Sequence, residues 1–387
     1  MMREFILIIT FMVILAKLFE SLFKKRDLNP IPGYIVAGLL VKYIAESNYV
    51  KSQLSGLAYI SLIFFMLYIG LKLEPKVSLT SSSSISTSIA GVLAVYAFSI
   101  PILLYKNIDL FTAFLIATVL SNTSTEIVAV ALDKKKVLDN YYWLVNASFL
   151  DDVLVILTLS VATSLASSGN NQVYTLAVSL TKTIIFITLS TAIAKIIIKR
   201  KPSIYRYVFR NYHTFLTTVI IVTLSTSSLA KIAGLPEMLG AYVAGLLISY
   251  SKTIHDPTLK SRTALSRFVD EINILLGSFF IPLYFSITSY SYEITYPRID
   301  LFIALIVPAM LAKTIVLYPI IYVKTSEKTN SVALSFLMNS RGMLEIAVLN
   351  VLFDTGILDI QIYSTLLVCS LITTIVCPLL FSKIFKK

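Results

Sequence analysis

Residues 141–157 read YYWLVNASFLDDVLVIL, and they place two adjacent carboxylates, Asp151 and Asp152, in the middle of an otherwise apolar run. An ionised side chain near the centre of a membrane helix costs about 2.5–3.5 kcal/mol on insertion scales. A chain that keeps two such groups side by side is predicted to use them. The use that we expect is the binding of cations and protons inside a membrane.

The composition around this run is that of a membrane protein. Of the 387 residues, 57% are hydrophobic and 14% are charged. The net charge of +12 would suggest a nucleic-acid partner for a soluble protein, but here the charges cluster in short loops between apolar blocks. We therefore expect a lipid bilayer as the partner and no nucleic acid. The first block contains Lys17 and lacks a cleavage site, so we expect a retained helix.

The apolar blocks predict an all-α membrane protein with about thirteen transmembrane helices, since about 20 residues cross a bilayer. These blocks lie at 4–22, 31–46, 54–71, 86–105, 110–132, 140–167, 173–197, 212–230, 236–250, 268–289, 300–323, 330–353 and 360–382. With thirteen crossings, 23 loop Lys and Arg residues fall on one side and six on the other. Positive loops stay cytoplasmic, so we expect the N-terminus outside and the C-terminus inside the cell.

The sequence also contains an internal repeat. Residues 33–40, GYIVAGLL, and residues 240–247, GAYVAGLL, agree at six of eight positions with an offset of 207. The offset inverts the second copy, which is the plan of many secondary transporters. We expect a first six-helix repeat at 1–170, a linker helix at 171–200 and a second repeat at 201–387.

The pairing matches the fifth and twelfth predicted helices, and polar residues interrupt both. The fifth carries SNTSTE at 121–126 and the twelfth NSRGMLE at 339–345. Transporters of this plan break two corresponding helices near the bilayer midplane, so we expect two discontinuous crossing helices. Intact helices whose hydroxyls bond back to their own backbone are the alternative. The secondary polar candidates in these breaks are Asn122, Ser124, Glu126, Arg341 and Glu345.

A lysine is predicted to share the depth of the carboxylates. At 1.5 Å per residue, the Asp pair lies about 17 Å from the cytoplasmic end of its helix, and Lys313 lies about 20 Å from the outer end of its own. Pairing Lys313 with an Asp is the least costly arrangement for both charges. A purely structural ion pair is the alternative, but it leaves the second Asp unexplained.

The expected cation site uses oxygen ligands. Ser148 lies one turn before Asp152 on the same helix face, and Thr123 lies in the break of the fifth helix. Oxygen ligands suit a hard monovalent cation. His213 and His255 fall near helix ends or in loops, and no hydrolytic triad, Walker loop or dinucleotide fingerprint is present in the sequence. We therefore expect no enzyme activity and no cofactor.

These motifs resemble those of the monovalent cation/proton antiporter family, the sodium/proton exchangers of the NhaA and NapA type. The resemblance covers essentially the whole chain, and the Asp pair with the lysine is its most specific part. The matching segments are 32–38, 121–128, Asp151–Asp152, 239–245, Lys313 and Arg341–Gly342.

The resemblance implies roles for the charged residues. Asp152 resembles the carboxylate that binds cation and proton, and Asp151 resembles the neighbour that pairs with the lysine. Two Asp residues at this place imply electrogenic exchange, helices 4–6 and 11–13 a moving core, and helices 1–3 and 8–10 a dimerisation domain. Glu126 departs from the family pattern, and so does Glu345, since relatives often place an acid directly after the Gly.

The sequence thus predicts a homodimeric cell-membrane antiporter that exchanges Na⁺ or a similar cation for protons by alternating access. A carboxyl group shielded from water can exchange a proton for a cation near neutral pH. Four alternatives remain open: electroneutral exchange, K⁺-selective exchange, an organic-anion symporter and an ion channel. Arg341 could supply the anion contact of a symporter.

Overall fold

The computed structural model describes residues 2–25, 29–45, 48–72, 82–166, 207–250, 260–291 and 296–385, with short pieces between 181 and 193. The regular elements of these residues are helices, as the apolar blocks predict. In chain order they are α1 (Met2–Lys25), α2 (Ile31–Ile44), α3 (Asn48–Lys72), α4 (Ser82–Tyr105), α5 (Leu110–Ser121), α6 (Thr125–Lys134), α7 (Tyr142–Ala166), α8 (Tyr212–Ile232), α9 (Glu237–Tyr250), α10 (Lys260–Leu275), α11 (Ile281–Ser291), α12 (Ile299–Thr325), α13 (Lys328–Leu337), α14 (Met343–Asp354) and α15 (Ile360–Ile384).

The described residues contain nine helical segments that are long and apolar enough to cross a membrane, together with shorter apolar helices such as α2 and α9. The all-α membrane fold is therefore confirmed. The number thirteen stays a prediction, because most of the predicted linker helix at 171–200 lies outside the described residues. His255 also lies outside them, and His213 is exposed at the start of α8.

The chain divides into two compact units, and each unit combines segments from both halves of the sequence. The first unit comprises Met1–Leu18, Tyr34–Lys76 and Thr163–Ser291, and the second comprises Phe19–Gly33, Val77–Ala162 and Tyr292–Lys387. The second unit therefore contains α4–α7 and α12–α15. The division of the sequence into repeats at 1–170 and 201–387 stays a prediction.

Close helix contacts at glycine follow the sequence repeat. A Cβ added at Gly33 would meet Phe19, and a Cβ added at Gly240 would meet Thr226 and Ser227. Phe19 and Thr226 are themselves 207 residues apart, the offset of the repeated motif. Each glycine thus lets its helix approach the equivalent point of the preceding helix, which is the relation that two copies of one unit would have.

The second glycine of each motif also marks a close approach. A side chain at Gly38 would overlap Ser286 of α11, and one at Gly245 would overlap Leu67 and Gly70 of α3. Helices cross at short distance where small residues allow their backbones to meet. These contacts hold α2 against α11 and α9 against α3 within the first unit.

Each unit has its own apolar core. In the first unit α1, α2, α3 and α11 bury Met12, Leu54, Leu283 and Tyr290 with their neighbours. In the second unit α6, α7, α12, α13 and α15 bury a cluster that includes Val128, Leu144, Leu317, Leu334 and Phe381. This second core supports the two interrupted helices that carry the polar residues.

The two interruptions occur where polar residues enter apolar blocks. The fifth predicted helix is broken into α5 and α6 by three non-helical residues, 122–124, and the twelfth into α13 and α14 by 338–342. Two discontinuous helices are therefore present, and the alternative of intact helices is wrong for both.

Candidate functional site

The two helix breaks contact each other directly. The backbone N–H of Ser124 donates to the carbonyl of Ser340 at 2.8 Å, and the Thr123 hydroxyl donates to the carbonyl of Met338 at 2.7 Å. Ser124 also caps α6, since its side chain accepts a hydrogen bond from the N–H of Ile127. Backbone groups freed by one break are thus satisfied by the other, as buried polar backbone requires.

Arg341 stabilises this crossing as a buried cation. Its guanidinium donates to the carbonyl of Asn122, which ends α5, and to the carbonyl of Ala309 in α12 at 3.3 Å. The Arg341 carbonyl accepts from Thr374 of α15 at 2.9 Å. Helix C-termini carry partial negative charge and favour cations. The arginine predicted as a polar candidate therefore bonds backbone carbonyls.

Gly342 permits the close approach of the breaks. A Cβ at this position would overlap the Ser124 side chain. The backbone of Gly342 is extended, which any residue can adopt, so the requirement for glycine is one of space alone.

Lys313 of α12 forms a buried ion pair with Asp151 of α7. Its Nζ lies 2.5 Å from Asp151 Oδ2 and donates to Thr123 Oγ1 at 2.6 Å. Both charged side chains are wholly excluded from solvent. The other carboxylate oxygen, Asp151 Oδ1, accepts from Ser88 of α4 at 2.6 Å. Both oxygens of Asp151 are therefore engaged, and the structure forms the pair that the depth argument predicts.

Asp152 has a different environment from its neighbour. Its Oδ2 accepts from the hydroxyl of Thr125, at the start of α6, at 2.7 Å. No Lys or Arg among the described residues lies within ion-pair distance of this carboxylate. Asp152 keeps 6% of its surface exposed, whereas Asp151 and Lys313 keep none. Asp152 is thus the least buried of these three residues.

The remaining acids of the breaks take separate positions. Glu345, in the first turn of α14, is fully buried; its Oε1 accepts from Ser370 at 2.7 Å, and its Oε2 lies 3.7 Å from Arg341 Nε. Glu126, in the first turn of α6, is half-buried and close enough to Asp152 for the two carboxylates to repel each other. Both half-helices that follow a break thus begin with an acid, which the N-terminal helix dipole favours.

The two other predicted cation ligands, Ser148 and Thr123, lie near these charges without a hydrogen bond to Asp152. Ser148 is buried one turn before Asp152, and its hydroxyl donates to the carbonyl of Val145 in its own helix at 2.9 Å. Thr123 contacts Lys313, and the amide of Asn122 has no hydrogen-bond partner on either side-chain atom. The cation ligand set of Asp152, Ser148 and Thr123 stays a prediction.

Sequence reasoning missed Ser88 and Thr125, the hydroxyl donors that bond the two carboxylates. Thr125 stands beside the predicted Thr123 in the fifth helix, but only the break decides which threonine faces Asp152. Ser88 ends a stretch at 80–88 in which every residue but Ile85 carries a hydroxyl group, so the sequence does not favour one serine over another.

The ion pairs of the site do not include Asp152. Asp151 is paired with Lys313, and Arg341 faces Glu345. A buried charge without a partner typically costs several kcal/mol. Among the described residues, no cationic side chain offsets this cost for an ionised Asp152.

Several known proteins are similar to this chain. Residues 7–387 match the family described as sodium/hydrogen exchanger, transmembrane. The chain is 23% identical to cation/H⁺ antiporter 18 of Arabidopsis thaliana over 99% of its own length and 48% of that protein. It is 25% identical to the Na⁺/H⁺ antiporter NhaS4 of Synechocystis sp. over 96% of its own length and 94% of that protein.

The chain spans about half the length of the plant relatives that it matches. Among solved structures, it resembles the sodium proton antiporter MjNhaP1 of Methanocaldococcus jannaschii with a TM-score of 0.65 and 14% identity. The match covers 99% of this chain and 100% of that one. At this identity the likeness establishes the fold.

Proposed function

The chain belongs to the sodium/hydrogen exchanger family, and we propose that it exchanges Na⁺ or another monovalent cation for protons across the cell membrane by alternating access. The relatives named above are described as cation/H⁺ and Na⁺/H⁺ antiporters. The polar groups of the second unit supply the chemistry that such an exchange needs.

The observation that carries the proposal is the state of Asp152. It is buried beside a neutral ion pair, it has no cationic partner among the described side chains, and it keeps a small exposed surface. A carboxylate in these surroundings binds either a proton or a small cation, because each of them neutralises the buried charge. Competition between the two for one carboxylate is the elementary step of antiport.

Alternating access follows from the cost of moving the empty site. With a proton or a monovalent cation bound, the Asp152 carboxylate has no net charge, and the loaded site can move through the apolar barrier. Without either, its charge opposes that movement, because a charge in hydrocarbon is costly. The empty carrier therefore stays on one side, and transport in one direction is coupled to transport in the other.

The Asp151–Lys313 pair supports an electrogenic cycle. Its two charges cancel while they are bonded, so a change in the bonding or protonation of the pair adds a second charge movement to that at Asp152. Two interacting acids titrate as one coupled set. We propose net charge movement in each cycle, with a homodimer as the working form and the C-terminus in the cytoplasm.

The contacts of Arg341 disfavour the organic-anion symporter. Its guanidinium is buried, bonds two backbone carbonyls and faces Glu345. An anionic substrate would have to displace these groups. The carbonyls of Asn122 and Ala309 would then lose the positive charge that bonds them. The cation site at Asp152 remains the better candidate for transport.

The test uses the purified protein in proteoliposomes with an interior pH dye. Addition of Na⁺, K⁺ or Li⁺ in separate experiments should release protons with at least one of them, and the three rates give the selectivity. Current on a solid-supported membrane then measures the net charge. Absence of cation-driven proton movement with all three ions contradicts the antiport proposal, and exchange without current contradicts the electrogenic part.

A further inference from the structure

A face of α4 contacts the buried ion pair at two positions that lie three residues apart. Ser88 donates its hydroxyl hydrogen to Asp151 Oδ1 at 2.6 Å and is itself buried. A Cβ built on Gly91 would lie 3.2 Å from Cε and 3.4 Å from Cδ of Lys313. Residues three apart share one helix face, so one surface of α4 meets both members of the pair.

The bond from Ser88 goes to the oxygen that the lysine does not use. Lys313 takes Oδ2 and Ser88 takes Oδ1, so the Asp151 carboxylate is bonded from α12 on one side and from α4 on the other. A hydrogen bond to a charged group is stronger than one between neutral groups. Ser88 thereby holds the Asp151 carboxylate in the orientation that Lys313 contacts.

Gly91 provides the space for the lysine stem. Lys313 is fully buried, and its Nζ is fixed by Asp151 and Thr123. At 3.2 Å, a methyl group on residue 91 would push the stem by a few tenths of an ångström. Because the distance from Nζ to Asp151 Oδ2 is already 2.5 Å, this shift would be passed directly to the ion pair.

We infer that Ser88 and Gly91 of α4 are positioning residues that keep Asp151 bonded to Lys313 and thereby reserve Asp152 for the transported ion. This inference deepens the proposed antiport and rests on it for its transport readout. The residues act through Asp151 and Lys313 and touch neither cation nor proton. Their loss should therefore change the apparent KM for the transported cation.

The direction of the change follows from the contact that is lost. In Ser88→Ala the Asp151 carboxylate is bonded from one side only, so Lys313 is held less firmly and can approach Asp152, where it competes with the cation. The apparent KM for the transported cation should rise by about tenfold, the size expected for one hydrogen bond to a charged group, and the maximal rate should change less. Gly91→Ala should move the KM in the same direction, because the added methyl group displaces the lysine stem.

Ser84 provides a matched control on the same helix. It is buried one turn earlier, and its hydroxyl donates to the carbonyl of Trp143, which belongs to α7 like Asp151. Ser84→Ala thus removes a hydrogen bond between the same two helices without touching a charge. Gly56→Ala adds a methyl group in open space and controls for the glycine change. Both control variants should keep the wild-type KM for the cation.

A double-mutant cycle measured by thermal unfolding provides a readout that does not need transport. Ser88→Ala should lower the Tm of the purified protein, and this loss should shrink in a Lys313→Ala background, because the Asp151 carboxylate that Ser88 orients then has no lysine to contact. Ser84→Ala should cost the same in both backgrounds. Ser88→Thr, which keeps the hydroxyl, should restore both the Tm and the apparent KM.

The outcomes separate this inference from the proposed function. If the wild-type protein exchanges no ions, the antiport proposal fails, and the thermal cycle alone decides the role of Ser88. If Ser88→Ala leaves the apparent KM for the cation unchanged, or if its thermal cost is the same with and without Lys313, Ser88 does not position the pair and the inference is overturned. A raised KM together with a thermal cost that shrinks without Lys313 supports it.

Discussion

At the scale of single residues, two neighbouring carboxylates have different hydrogen-bond partners. Asp151 has both oxygens bonded, one to Lys313 and one to Ser88, whereas Asp152 has one bond from Thr125 and a small exposed surface. Adjacent residues of a helix point about 100° apart, since 3.6 residues make a turn. One can therefore face a lysine while the other faces the helix break.

Replacing Asp152 by Asn should abolish exchange while the protein still folds. The amide is nearly isosteric and uncharged, so it removes the negative charge that a proton or cation compensates. Cation-driven proton movement in proteoliposomes measures the loss, and size-exclusion chromatography checks the fold. Exchange at the wild-type rate in this variant would refute the role of Asp152.

Breaking the buried pair from either side should destabilise the protein. Removing one partner strands a charge and typically costs about 3–5 kcal/mol, so Asp151→Asn and Lys313→Ala should each lower the Tm. The double variant should lose less than the sum, because it strands no charge. Strictly additive losses in thermal unfolding would mean that the 2.5 Å pair does not contribute as a pair.

The pairing of Asp151 with Lys313 could be predicted because charged residues are rare in apolar blocks. Asp151 and Lys313 have opposite signs at similar predicted depths, and they form the pair in the structure. The partners Ser88 and Thr125 could not be predicted, since hydroxyl residues are frequent in these helices and can bond back to their own backbone. Only the packing of α4 and the break before α6 selects them.

At the scale of helices, the two breaks exchange hydrogen bonds and share one buried arginine. Polar residues within an apolar block predict both interruptions, and the structure opens the chain at 122–124 and at 338–342. The function of Arg341 could not be predicted in the same way. Its acceptors are backbone carbonyls in α12 and at the end of α5. Every residue has such a carbonyl, so the sequence does not show which of them lie near the arginine.

Gly342→Ala should loosen the crossing. The new methyl group would overlap the Ser124 side chain, so the cap of α6 or the bond between the breaks has to move. Overpacking of this kind typically costs about 1–3 kcal/mol, and exchange should fall because Thr125 and Asp152 lie next to the break. Thermal unfolding and proteoliposome transport measure the two effects.

Gly56→Ala is the matched control for this change. A Cβ at Gly56 in α3 meets nothing within 4 Å, and alanine is favoured over glycine in a helix by about 0.5–1 kcal/mol. This variant should be as stable as the wild type or slightly more stable. Equal effects of the two substitutions would show that space at Gly342 is not limiting.

At the scale of the whole molecule, each compact unit is assembled from both halves of the sequence. Contacts at Gly33 and Gly240 repeat with the 207-residue offset that the motifs predict. The membrane orientation rests on the loop charges alone and stays a prediction.

Reporters fused to the two ends should fall on opposite sides of the membrane. The excess of 23 over six positive loop residues places a reporter after Lys387 in the cytoplasm and one before Met1 outside. Alkaline phosphatase and a fluorescent protein, active on opposite sides of a bacterial inner membrane, distinguish the two. Both ends on one side would require an even number of crossings and would contradict the inverted repeat.

The 162 residues that separate Asp151 from Lys313 also set an order of events during biosynthesis. At about 5–20 residues per second, the ribosome needs about 8–32 s to reach Lys313 after it has added Asp151. Ser88 is already made by then, and Asp151 enters the bilayer with its hydroxyl partner but without its counter-charge. The nascent half of the protein therefore carries this acid without its lysine until α12 has been made.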